Sequence, residues 1–187
     1  MRAMAGIGMS EELPTVVTAA DGVTRCRWAT ETGRDLRAYH DHEWGVPTHG
    51  DAALFELLAL TYFENGLSWA AVFDKRGHLR NAFRGFDPEA VAAMTADDVE
   101  RLMLDASIIR NRRKIEATVH NARLLSTCSL SRLSWQHQPR QRHRITSWAD
   151  GRMTSPDSIR LSVALRDAGF RMVGPVVAHS FMQTAGI

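Results

Sequence analysis

The sequence predicts a single all-α domain, and three observations carry that prediction. Apolar residues recur at helical spacing from residue 51 onward. Helix-start signals precede most of those stretches. No segment shows the alternation and turn punctuation of a sheet protein. The 187 residues can bury one core, and 44% hydrophobic with 24% charged residues is the balance of a globular chain. The two cysteines, Cys26 and Cys128, are too few for a disulfide scaffold, which points to a reducing cytoplasm. No apolar run approaches the roughly 20 residues of a membrane span, and the N-terminus does not read as a signal peptide. The absence of heptads predicts a monomer. A net charge of +2 names no partner, so the placement of the charge matters more than its sum.

Residues 1–22 are rich in Gly, Ala and Thr without periodicity and are expected to form a flexible tail ahead of a domain over 23–187. A helix is expected from Asp51, with Asp51 as its cap and Leu54, Phe55, Leu57, Leu58 and Tyr62 on its apolar face. Asp87-Pro88-Glu89 supplies a capping acid, a proline at the first helical position and an acid in the first turn. Thr95 and Asp98 form a capping-box pattern ahead of Val99, Leu102 and Met103. A long amphipathic helix follows over 109–125. Ser155-Pro156 opens a further helix that Gly169 closes, and Gly174-Pro175 opens the last.

Three segments carry chemistry. Cys26-Arg27-Trp28 and Tyr39-His40-Asp41-His42-Glu43-Trp44 gather thiol, imidazole, carboxylate and aromatic groups. A structural zinc wants four ligands, and Cys26 with His40 or His42 supplies two. On spacing alone, exposed histidines and a buried cysteine account for the segment. In Asn65-Gly66-Leu67-Ser68-Trp69 a helix ends, glycine permits the turn and a new helix begins near Ser68. Trp69 fits a core position, or a pocket wall for a flat cation. In Leu104 to Ile115 a tight turn leads into a helix opening with Arg110, Asn111, Arg112, Arg113 and Lys114. A helix N-terminus with such charges suits a phosphate, while most charge runs are solvated faces. A second basic stretch, Arg140-Gln141-Arg142-His143-Arg144, favours nucleic acid.

Eight motifs then fall in one order along the chain. They are Cys26-x-Trp28, Tyr39 to Pro47, Leu54-Phe55-Glu56-Leu57, Gly66-Leu67-Ser68-Trp69, Ala82 to Pro88, Ile108 to Ile115, Gly169 to Pro175 and Ser180-Phe181-Met182-Gln183. Together they resemble the DNA-3-methyladenine glycosylase I family over nearly all of the chain from Cys26. The resemblance implies a helix-hairpin-helix glycosylase bundle that removes N3-methyladenine from double-stranded DNA carrying alkylated bases. It implies that Tyr39, Trp44 and Trp69 line the base pocket, and that Ser107 to Lys114 hold the DNA backbone. An alternative is a catalytically weak or substrate-shifted member that acts as a damaged-DNA-binding protein.

The chain departs from the family pattern at three places. Thr61 stands where the family has a base-recognising Glu, and Glu64 where it has a Gln. Glu64 is therefore expected to replace the carboxylate in part. Ser107 replaces a usual Gly, with strain expected at a turn favouring positive φ, and Arg113 adds charge. Cys26 and His40 match half of the family's zinc site, whose other pair lies beyond Ile187, so no cofactor is expected and zinc is admitted only at partial occupancy.

Overall fold

A computed structural model describes residues 16–30, 36–67, 69–141 and 153–187, with Trp69 and Ala70 described by backbone alone. The chain opens with a two-stranded antiparallel hairpin, β1 (Val16–Thr18) and β2 (Thr24–Cys26), in which Val17 faces Arg25. Asp21 and Gly22 make its turn. The Asp21 side chain accepts the Val23 N–H at 3.0 Å, and Gly22 takes φ 77°. Residues 16–22, expected as tail, thus form a strand and turn. Two β-branched valines and an Asp-Gly turn outweigh the lack of a longer pattern.

Helices make up the rest of the regular structure among the described residues. They are α1 (Arg37–His42), α2 (Asp51–Glu64), α3 (Trp69–Ala82), α4 (Pro88–Ala92), α5 (Ala96–Leu104), α6 (Arg112–Leu124), α7 (Leu130–Trp135), α8 (Pro156–Asp167) and α9 (Pro175–Ala185). None is long and apolar enough to cross a membrane. The all-α expectation stands, with the hairpin as a small addition.

The cap signals resolve individually. Thr95 and Asp98 form the expected capping box on α5, and Ser155 with Ser158 forms another on α8. Asp87 accepts the Ala90 N–H ahead of Pro88. Asp51 is a correction: Gly50 is the N-cap of α2, and Asp51 lies inside the first turn. Its carboxylate instead accepts the Ser129 hydroxyl at 3.1 Å and the Ser131 N–H at 2.6 Å. It therefore ties the start of α2 to the start of α7.

The central helix is α2. Leu54, Phe55, Leu58, Ala59, Tyr62 and Phe63 are fully buried, and the helix packs against α3, α6, α7 and α9. The buried Tyr62 hydroxyl lies 2.7 Å from Thr118 Oγ1 on α6, which satisfies the one polar atom of a large side chain. From α6, the buried Asn121 clamps the loop before α9 by accepting the Arg171 N–H and donating to the Arg171 carbonyl. These bonds fix the sides of the bundle on which the chemistry-bearing residues lie.

The end of α9 holds the segment after Trp44. Gly45 N–H donates to Thr184 O, and Thr48 N–H to Ala185 O, both at 3.0 Å. Gly186 closes the helix at φ 73°, where an added Cβ would meet Gly45 O at 2.6 Å and Pro47 N at 2.7 Å. Both neighbours are backbone, so neither can rotate away. Gly186→Ala is expected to destabilise the fold by about 2 kcal/mol, lowering the melting temperature by roughly 4–8 °C in a thermal scan.

Candidate functional site

The first functional feature is an aromatic cluster where the chain after β2 meets α1 and α3. Trp28 is its hub. Its ring centroid lies 5.4 Å from Trp44 in an edge-on arrangement, 6.2 Å from Tyr39 and 5.2 Å from His40. His40 stacks on Trp44 at 5.8 Å, and Tyr39 meets Phe73 of α3 edge-on at 5.2 Å. Tyr39 is buried, whereas Trp28, Trp44 and Phe73 are half-buried and keep open surface. The predicted pair Tyr39 and Trp44 is thus brought together through Trp28. The expected third wall, Trp69, begins α3, and its side chain lies outside the described residues.

Electron-rich ring faces attract cations. The Arg76 guanidinium lies over Phe73 at 4.3 Å and Tyr39 at 5.6 Å, so the cluster already engages one flat cation. Glu43 balances Arg76 through hydrogen bonds of 2.9 and 3.3 Å. Sequence reasoning left out Trp28, Phe73 and Arg76 as pocket members. Phe73 lies four residues after Trp69, on one helical face, so a signal for it existed.

A polar chain holds this cluster from behind. Arg25 donates to both oxygens of Asp41 and also to Asp21. Asp41 accepts from His40 Nδ1 at 2.9 Å, and His40 Nε2 accepts the Cys26 N–H at 3.2 Å. The Arg25 and His40 bonds hold the Asp41 carboxyl well below its usual range, at about 2. The chain brings Cys26 and His40 together as expected. However, both ring nitrogens of His40 are engaged, Nε2 by the Cys26 N–H and Nδ1 by Asp41. These residues do not fit a closed zinc site, and the described residues hold no group of three or more metal-ligating side chains.

The second feature is the end of α2. Thr61 is buried, and its hydroxyl donates to Leu57 O at 2.7 Å, so its one donor is used inside its own helix. Glu64 ends the helix. Burial pushes its carboxyl up to about 7, while the charge of Lys114 pulls it down. An anion at a helix C-terminus is further disfavoured by the helix dipole. Glu64 is therefore poised to change charge near neutrality, a property Thr61 lacks.

The third feature is the turn between α5 and α6. Asp105 Oδ1 accepts both the Ser107 N–H at 2.8 Å and the Ser107 hydroxyl at 2.6 Å. Ser107 is not among the residues with positive φ, so the expected strain does not arise. The serine hydroxyl instead adds a bond within the turn. Asn111 caps α6 by accepting the Lys114 N–H. Arg112 is paired with Glu100 at 2.6 and 2.7 Å. Arg110 and Arg113 are exposed and make no ion pair or side-chain hydrogen bond among the described residues. Of the second basic stretch, residues 142–144 lie outside the described residues.

Lys114 is the main correction. Expected beside the DNA backbone, it is only 5% exposed and points inward. Its ammonium donates to Phe63 O at 2.8 Å and Asn65 O at 2.6 Å, which are carbonyls at the end of α2. It serves as a C-cap supplied by another helix.

The comparisons with known proteins bear directly on these features. The family model for methyladenine glycosylases matches residues 28–187. The chain belongs to the methyladenine glycosylase family. It is 40% identical over 171 residues to DNA-3-methyladenine glycosylase 1 of Escherichia coli (strain K12), covering 87% of this chain and 90% of that protein. It is 36% identical over 175 residues to DNA-3-methyladenine glycosylase of Haemophilus influenzae, covering 88% and 92%. A crystal structure of 3-methyladenine DNA glycosylase I superposes with a TM-score of 0.80 at 39% identity, covering 87% of this chain and 92% of that one. A Staphylococcus aureus 3-methyladenine DNA glycosylase I, studied for its recognition of 3-methyladenine, superposes at 0.77 with 35% identity, covering 87% and 89%. The helix-hairpin-helix glycosylase bundle is thus this family's fold.

Two neighbours on α6 should respond differently to mutation. Lys114→Met leaves two helix-end carbonyls without a donor and is expected to remove about 2–4 kcal/mol of stability, measured by urea denaturation. Arg112→Ala breaks an exposed pair and should change stability by no more than about 1 kcal/mol.

Proposed function

We propose that this chain hydrolyses the N-glycosidic bond of N3-methyladenine in double-stranded DNA, opening base excision repair. The observation that carries this reading is the half-open aromatic cluster around Trp28, Tyr39, Trp44 and Phe73, built into one bundle with the α5–α6 hairpin. N3-methylation places a positive charge on the base. Such a base leaves the stack at less cost, is attracted to aromatic faces and departs as a neutral molecule. Water supplies the hydroxyl that replaces the base on the sugar and releases one proton. The leaving group needs no protonation, so the site's task is to bind and orient the base.

The residues divide that task. Tyr39 and Trp44 form the base platform, and Trp69, at the start of α3, is assigned to it by its motif. Glu64 is the carboxylate that favours a cationic base, and Thr61 shapes the helix without offering a negative charge. The exposed Arg110 and Arg113, beside the turn at Ser107, take the DNA backbone. Asn111, Arg112 and Lys114 act indirectly, by capping and pairing. The uncharged Thr61, its hydroxyl proton given to Leu57 O, favours a second reading, in which the family's reaction is retained with a shifted lesion preference.

Release of 3-methyladenine from methylated duplex DNA, followed by chromatography, tests the function. Release at a rate that Trp44→Ala lowers supports it. Failure to release any alkylated purine would overturn it.

Glu64 gives the reaction a pH signature. Its carboxyl is neutral below about 7 and charged above, so attraction for the cationic base grows as pH rises. Between pH 6 and 8 the charged fraction rises about tenfold, and excision should rise with it. In Glu64→Gln the profile should be flat over that range. The backbone contact has a separate signature: Arg113→Ala should weaken binding to any duplex and reduce the salt slope of affinity by about one.

A further inference from the structure

The α5–α6 turn is tied to the rest of the molecule by a second lysine, Lys75 of α3. Its ammonium donates to Ser107 O at 2.6 Å and to Ala106 O at 3.3 Å. These two carbonyls lie at the apex of the turn, beside the Asp105 carboxylate that accepts from Ser107. The Ser107 bonds hold the Asp105 carboxyl below its usual range, and the charges of His78 and Lys75 on α3 add to this. Asp105 is bound chiefly by Ser107, within the turn itself. Lys75 hydrogen-bonds the turn from a different helix.

The next residue on α3 reaches the other way. Arg76 lies over Phe73 and Tyr39 and pairs with Glu43, at the end of α1. Consecutive side chains of one helix thus hold the hairpin turn and the aromatic cluster. A helix interior is stiff, so each attachment constrains the other.

We infer that Lys75 is a positioning residue, which fixes the hairpin turn at a set distance from the aromatic cluster so that a base extruded from a held backbone meets the rings. This inference rests on the glycosylase reading above. The chemistry of the contact supports positioning over direct phosphate binding. The ammonium is half-buried and already donates to two carbonyls, one at a short distance. A rigid strut acts on the geometry of the reacting complex, and small displacements there lower rate far more than affinity. A phosphate contact would act on affinity and on its salt dependence.

The test is single-turnover excision at saturating enzyme, set beside affinity for undamaged duplex at several salt concentrations. It compares the unmodified chain with Lys75→Met and Lys75→Arg. Lys75→Met is expected to lower the saturated rate by at least about tenfold, while affinity for undamaged duplex changes less than about threefold with its salt slope unchanged. Lys75→Arg, which retains donors of similar reach, should recover part of the rate. An unchanged saturated rate would overturn the inference. So would a loss confined to affinity with a salt slope smaller by about one, which identifies Lys75 as a phosphate contact. If Lys75→Met does not fold, Lys75→Arg decides alone: it must bind undamaged duplex normally and excise more slowly than the unmodified chain. Absence of excision by the unmodified chain would count against the glycosylase reading instead.

Discussion

The architecture depends on the buried ammonium of Lys114 at the end of α2. A helix ends with carbonyls that lack intrahelical donors, and at this end Phe63 is fully buried while Asn65 to Leu67 are exposed. Lys114 reaches across from the first turn of α6 and satisfies Phe63 O and Asn65 O. The same turn of α6 is capped by Asn111 and follows the hairpin. The segment leading into α3 and the helix expected to face the DNA backbone are therefore bonded to each other. A charge inside the protein is costly unless hydrogen-bonded, and two carbonyls with a nearby carboxyl meet that requirement.

From this anchor the electrostatics of α2 follow. Glu64 is half-buried at the negative end of a helix, conditions that favour its neutral form, and the charge of Lys114 opposes them. Position 61 is different. A threonine there folds its hydroxyl back onto Leu57 O and contributes packing. The ionisable group on this part of the helix is thus Glu64, next to Lys114, and not position 61. The bulky Tyr62 between them is accommodated because its hydroxyl finds Thr118 on α6.

Much of the fold was legible because its signals are local. Thr95, Ser155 and Asp87 cap helices through partners three residues away, a distance that sequence shows directly. Asp51 was misread because its partners, Ser129 and Ser131, are remote in sequence and meet it only in the folded chain. The run Arg110 to Lys114 read as one patch of charge, yet a helix turns through its successive residues and places them on different faces. Lys114 shares the inward face with Thr118 and Asn121, at helical spacing, so the separation could have been seen. The strain assigned to Ser107 was an argument from the usual glycine. It fails because the serine turn closes on Asp105 without positive φ. In the site, Tyr39 and Trp44 were identified from their motif. Their connection through Trp28 depends on β2, whose partner strand β1 lay in the segment expected to be a tail.

The aromatic cluster is oriented by hydrogen bonds and one ion pair, from Arg25 through Asp41 and His40 to the Cys26 backbone. The clasp positions the rings, and α3 and α2 carry the groups around them. The central claim is that Lys114 makes the end of α2 and the hairpin helix one mechanical unit. Hydrogen exchange of the Lys114→Met chain tests it most directly, read at the amides of residues 64–67 and of α8 and α9. The account predicts loss of protection at 64–67, including the Leu67 amide bonded to Glu64 O, with α8 and α9 unchanged. Protection at 64–67 equal to that of the unmodified chain would contradict it.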